Sequence, residues 1–300
     1  MTVRNHRHRR LAALLACAGL LVATTTACGS AKAGSAVPDG DQAATYVSAK
    51  FAEKIEALGN DFSGNESRKS VLQRFARVDE KKSNSTISAV QFGRPPARFS
   101  KNHSNTNSAD YLDSFHPANS EVEYLQLGPA YAALAPTPWV SMPYTAGNLN
   151  ECFWEGQQDV CKMIQAVADS VNKGKAAKRA NSRPDGSVEL SAEVTLGAFL
   201  QNKVIVFPPS LLGLISDKMK TEVLPTRLIL DPKGKLTEIE MTGKIADAGH
   251  EVEVRMHYKL DGEPTANDLP KLPDASQVTV LPDKAAVDDF YRRLGEIQGG

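Results

Sequence analysis

The sequence predicts an α+β protein built on an antiparallel sheet, and three stretches carry that expectation. In Glu251–Leu260, Val252, Val254, Met256, Tyr258 and Leu260 alternate with Glu251, Glu253, Arg255, His257 and Lys259. Thr226–Leu230 and Leu236–Ile245 flank Asp231-Pro232-Lys233-Gly234, which reads as a hairpin turn. Two other stretches repeat at helical spacing: Ala44, Val47, Phe51, Ile55, Leu58, and then Val160, Ile164, Val167, Ala168, Val171. Alternation with one polar side means a sheet with one wet face and one covered face.

In chain order, the first feature is a basic leader with Arg4, Arg7, Arg9 and Arg10, followed by the apolar run Leu11–Cys28. A positive end, a short apolar core and small residues are the pattern of an export signal. The run is shorter than the ~20 residues of a permanent span. Its end, Thr25-Thr26-Ala27-Cys28, resembles the bacterial lipobox, in which the Cys is diacylated and becomes the first residue. The expected organisation is signal peptide 1–27, a small-residue tether 28–40 anchored through Cys28, and one domain 41–300. The rival reading is an ordinary signal peptide cut elsewhere.

Cleavage before Cys28 would leave 273 of the 300 residues, with 31 Lys+Arg against 35 Asp+Glu. A slightly acidic body argues against nucleic acid as a partner. Cys17 lies in the leader, so Cys152 and Cys161 are the two cysteines left, and in an exported chain they read as one disulfide. A metal or redox pair fits less well, because the spacing is not C-x-x-C.

After the first helix, which Gly59-Asn60 should end, Val71–Val78, Thr86–Phe92 and Ala97–Ser100 read as strands, with a break at Pro95-Pro96. Lys101–Ala109 reads as a surface loop. Glu121–Leu127 and Tyr131–Leu134 read as a hairpin turned at Gly128-Pro129, and Trp139-Val140 follows. The second helix is expected over Glu155–Lys173, and Lys173–Arg183 as a basic connector. Ser187–Leu196 alternates, with Val188, Leu190, Ala192, Val194 and Leu196 on one side. A short apolar helix is expected over Leu211–Met219, a last strand at Val278–Leu281, and a closing helix through Val287, Phe290, Leu294 and Ile297.

No constellation of catalytic residues stands out. There is no G-x-S-x-G, P-loop or G-x-G-x-x-G. His250-Glu251 opens like a metalloprotease helix, but Val254 and Arg255 stand where the second His belongs. His250 and His257 are an odd number apart, so one strand sends them to opposite faces. Glu238, Glu240, Glu251 and Glu253 read as the wet face of a hairpin. The expectation is no enzyme, no metal and no cofactor.

The order of these elements, with TRLILDPKGKLTEIEMTG and EVEYLQLGPAYAALAPTPWVSM, resembles the LolA/LppX/LprG-type lipoproteins of bacterial envelopes, especially actinobacterial ones. The resemblance covers 41–283 and rests on pattern. It implies a strongly curved antiparallel sheet, an unclosed half-barrel, with helices over its concave face and an apolar cavity for acyl chains. Against that group, 101–119 and 152–183 look like insertions. The implied function is an exported lipoprotein at the extracytoplasmic face of the cell membrane that binds or carries acyl-chain lipids. Leu190, Val194, Ile239, Met241, Val254 and Met256 are the expected wall of its cavity. The alternative is a module with a filled core that docks an envelope protein partner.

Overall fold

The computed structural model describes residues 51–58, 62, 66–144, 150–172 and 178–298. The leader, Cys28, the tether, the first part of the first helix and its Gly59-Asn60 end lie outside the described residues.

The described part of the first helix, α1 (51–58), keeps Phe51, Ile55 and Leu58 buried. The sheet begins with β1 (Arg68–Val78), β2 (Lys81–Phe92), β3 (Ala97–Ser104), β4 (Tyr111–His116), β5 (Val122–Leu127) and β6 (Trp139–Pro143). Helix α2 (Glu155–Asn172) leads to β7 (Lys178–Ser182) and β8 (Val188–Thr195). The short helices α3 (Leu196–Gln201), α4 (Pro209–Leu212) and α5 (Asp217–Thr221) precede β9 (Val223–Leu230), β10 (Leu236–Asp247) and β11 (His250–Leu260). Strand β12 (Val278–Val280) and helix α6 (Lys284–Ile297) close the chain.

The strands form one sheet in the order β12-β6-β5-β4-β3-β2-β1-β11-β10-β9-β8-β7. Two antiparallel meanders, β1–β6 and β7–β11, therefore meet where β1 pairs with β11, placing Leu72 opposite Tyr258 and Ala76 opposite Val254. The two ends do not meet, so the curved sheet stays open, and helices cover one face of it. The expected α+β half-barrel holds, with one change: β12 pairs parallel to β6, so the sheet is mixed at that edge.

Helix α2 lies across the sheet. Val160, Met163, Ile164, Val167 and Val171 enter the main core with the inner residues of β1 and β8–β11. Within the 152–183 segment, α2 thus covers the sheet and 178–182 add strand β7 to it. A second, smaller core joins Leu125, Leu127, Val140 and Met142 of β5 and β6 to Phe290 and Leu294 of α6.

Four local expectations are corrected. Lys101–Ala109 is only partly a loop: β3 runs to Ser104, and 101–119 also holds β4, which is integral to the sheet. Tyr131–Leu134 is not a strand. Pro129 opens a 3-10 turn, Tyr131 is buried with its hydroxyl donating to Asp110 Oδ1 at 2.6 Å, and β5 pairs with β6 instead. Residues 178–182 of the basic connector form edge strand β7 against β8. The helix expected over 211–219 is two pieces, because Ser216 caps the Met219 N–H and starts α5 anew.

Candidate functional site

The meander β8–β11 places all six expected wall residues on its inner face. Leu190 lies opposite Leu228 of β9, and Leu228 in turn opposite Ile239. Met241 faces Met256, and Val254 faces Gly243. A Cβ at Gly243 would sit 2.4 Å from Leu224 Cδ2, so that side chain would have to shift, and Leu224 itself lies opposite Val194. Each of the six is at most 1% exposed, and all belong to the main core under α2. They pack against one another, and none lines the clefts described next.

At the edge of this core lies an open cleft of about 660 Å³. Arg74 and Ala76 of β1, Lys81 and Lys82 of β2, the start of α2 and the α3–α4 loop surround it. Its apolar side is built by the sequence VIVFPP. Val204 and Phe207 are core residues, Ile205 and Leu211 pack against the core, and Val206 is 72% exposed. Pro208 and Pro209 fix the backbone of this loop and open α4. The volume falls within the ~300–1,000 Å³ of small-molecule sites.

The polar side of the cleft is a connected chain. Arg74 donates to Asp159 Oδ2 at 2.8 Å and to Ser85 Oγ at 3.1 Å. Asn102 donates to Glu155 Oε1 at 2.9 Å, and Lys162 stands 3.6 Å from Asp159. Burial pushes the Glu155 carboxyl above its ordinary range, against the pull of Asn102 and Arg74. A second cleft of about 470 Å³ shares Arg74 and runs on past Asn102 toward Tyr131.

Sequence reasoning missed a buried polar strip on the inner face of β2–β5. Ser100 and Ser114 share a 3.0 Å hydrogen bond across β3 and β4. Arg98, 1% exposed, donates through Nε to Gln91 Oε1 at 2.7 Å, and Gln91 donates to Glu151 Oε1 at 2.9 Å. Glu151 also pairs with Arg68 at 3.4 Å. Burial, outweighing the attraction of Arg68, pushes the Glu151 carboxyl up to about 7. On β5, burial and the nearby Glu155 push Glu123 up to about 7 as well. The available signal was the poor alternation of these strands, which have polar residues on both sides.

The remaining candidates lie apart. Cys152 and Cys161 are bonded, with Cα atoms 5.6 Å apart, and tie α2 to its incoming turn. On the outer face, Arg227 bridges Glu238 and Glu240, and Arg77 bridges Glu251 and Glu253. His250 pairs with Asp79 at 2.8 Å and His257 with Glu238 at 3.1 Å. Among the described residues, no group of three or more His, Cys, Asp or Glu is placed to hold a metal ion, and no helix is long and apolar enough to cross a membrane.

No protein-family model matches the chain, and no curated protein does. Solved structures similar to it include LprF from Mycobacterium bovis, with a TM-score of 0.40 and 11% identity over 74% of this chain and 97% of that one. A putative outer membrane lipoprotein-sorting protein domain from Vibrio parahaemolyticus has a TM-score of 0.23 and 8% identity over 74% of this chain and 96% of its own. A LolA superfamily protein from Nitrosomonas europaea has a TM-score of 0.23 and 10% identity over 76% and 97%. Some of these neighbours bear the names of the lipoprotein group that the sequence resembles. At these values they transfer no ligand and no residue role to this chain.

Proposed function

We propose that this chain is an exported lipoprotein, anchored through Cys28 at the extracytoplasmic face of the cell membrane, whose domain binds or carries acyl-chain lipids. The observation that carries the reading is the continuity of the cleft with the main core. Val204 and Phe207 form part of the cleft wall and also pack in the cluster that contains Leu190, Val194, Ile239, Met241, Val254 and Met256. An acyl chain laid against the first pair reaches the six by displacing the short helices α3–α5 rather than by crossing the sheet. Each methylene it buries contributes about 0.8 kcal/mol.

The close packing of those six residues supports a second reading, a module with a filled core that docks an envelope protein. Mass spectrometry of organic extracts from the purified protein separates the two. Recovery of stoichiometric acyl lipid supports the carrier. Val194→Trp sharpens the result: in a space that opens for lipid it abolishes uptake at little cost in stability. In a core that stays closed it costs ~1–3 kcal/mol, and with no lipid in the wild-type extract that outcome leaves only the docking module. For the anchor, metabolic labelling with a palmitate analogue is expected to mark the wild type and not Cys28→Ala.

A further inference from the structure

The charge around the cleft runs against the composition of the chain. Downstream of the leader, acidic residues outnumber Lys+Arg, yet five cations and two carboxylates line this cleft: Arg74, Lys81, Lys82, Lys162 and Lys203 against Glu155 and Asp159. Asp159 is already engaged by Arg74 and Lys162, and Glu155 by Asn102. Lys81, Lys82 and Lys203 are exposed and make no ion pair among the described residues. Lys203 ends α3 at φ +51°, a left-handed position where glycine or asparagine is the usual choice, so a long cation stands where backbone shape favours a small residue. The three free ammonium groups lie beside an apolar wall that begins at the very next residue, Val204.

An apolar wall next to unpaired cations complements one ligand chemistry, an acyl chain carrying an anionic headgroup. Resting on the acyl-lipid reading above, we propose that the cleft selects anionic amphiphiles. The chain lies along Val204, Ile205 and Phe207, and a phosphate or carboxylate headgroup sits among Lys81, Lys82 and Lys203. Exposed cations attract such a headgroup through water, so the preference is sensitive to salt.

The test is calorimetric titration of the purified full chain with dodecyl phosphate and with the uncharged dodecyl glycerol ether, each as monomers, and with inorganic phosphate as competitor. The expected result is at least about tenfold tighter binding of dodecyl phosphate, equivalent to about 1.4 kcal/mol, with the gap narrowing as salt rises. The Lys81→Ala/Lys82→Ala/Lys203→Ala variant is expected to close the gap between the two ligands. Equal binding of both amphiphiles by the wild type overturns the anionic preference and leaves the acyl reading intact. Displacement of dodecyl phosphate by inorganic phosphate at similar concentration overturns it too, since the site then takes phosphate and not a lipid headgroup. Binding of neither amphiphile overturns both readings.

Discussion

The two meanders bury their inner faces by different means. In β8–β11 the inner face is largely apolar: Leu190, Leu228, Ile239 and Met256 pack in the main core, Thr226 and the Tyr258 hydroxyl are its polar groups, and several outward charges form ion pairs such as Arg227 with Glu238 and Glu240. In β2–β5 the inner face carries Gln91, Arg98, Ser100, Asn102 and Ser114, which hydrogen-bond to one another, to Glu151 in the turn before α2 and to Glu155 at its start. The difference shows what each half demands of its cover. A dry face needs only apolar bulk from α2, whereas a polar face needs partners at hydrogen-bond distance, which fixes where Glu151 and Glu155 must stand.

The sharpest break is expected in the dry half. Val254→Asp places a charge with no partner in the main core between Ala76 and Gly243, and is expected to cost more than about 4 kcal/mol. Urea denaturation checks it; a loss below 1 kcal/mol would falsify the dry-core description.

The polar half should instead show itself in pH. The Glu151 carboxyl rises from an ordinary 4.5 to about 7 on folding, so the folded state binds the extra proton between those values. Its contribution is most favourable below about pH 4.5 and is progressively lost as pH rises to about 7. The loss is on the order of 3 kcal/mol at full ionisation. Thermal melts across that window are expected to show a falling midpoint. The fall should be smaller in Glu151→Gln, where Gln91 keeps an oxygen to donate to; an identical fall in both proteins removes Glu151 as its source.

Between the halves, the Cys152–Cys161 bridge holds the start of α2, the helix that serves both faces. The Cys152→Ser/Cys161→Ser pair is expected to lose about 2–3 kcal/mol, toward the low end because the closed loop is short. Denaturation with and without reductant measures this in the wild type, where no change on reduction counts against a stabilising role. The smallest effect is expected from Ser100→Ala/Ser114→Ala. Removing both partners of one buried hydrogen bond leaves neither stranded, so the change should stay within about 1 kcal/mol. A much larger loss would show that the polar strip acts as a connected unit.

What the sequence alone determined follows the same division. Where a strand puts apolar residues on one side and charges on the other, its extent and buried face are legible, as in Glu251–Leu260, and a tight turn adds the partner, as in the hairpin around Asp231–Gly234. The apolar stripe of α2 and the Cys152–Cys161 pairing were legible for similar reasons, one from helical period and one from compartment and count. Strand β4, YLDSFH, was not legible, because Ser114 faces inward and Asp113 outward and no binary pattern remains. Tyr131–Leu134 looked like a strand because the buried Tyr131 ring mimics a core position. Only the tertiary structure decided that Arg98 and Glu151 are buried, since a charged residue can leave water only where partners distant in sequence, here Gln91 and Arg68, are brought to meet it. The cleft was equally hidden, since it is formed by β1, β2, α2 and the 203–211 loop, segments that no local pattern connects.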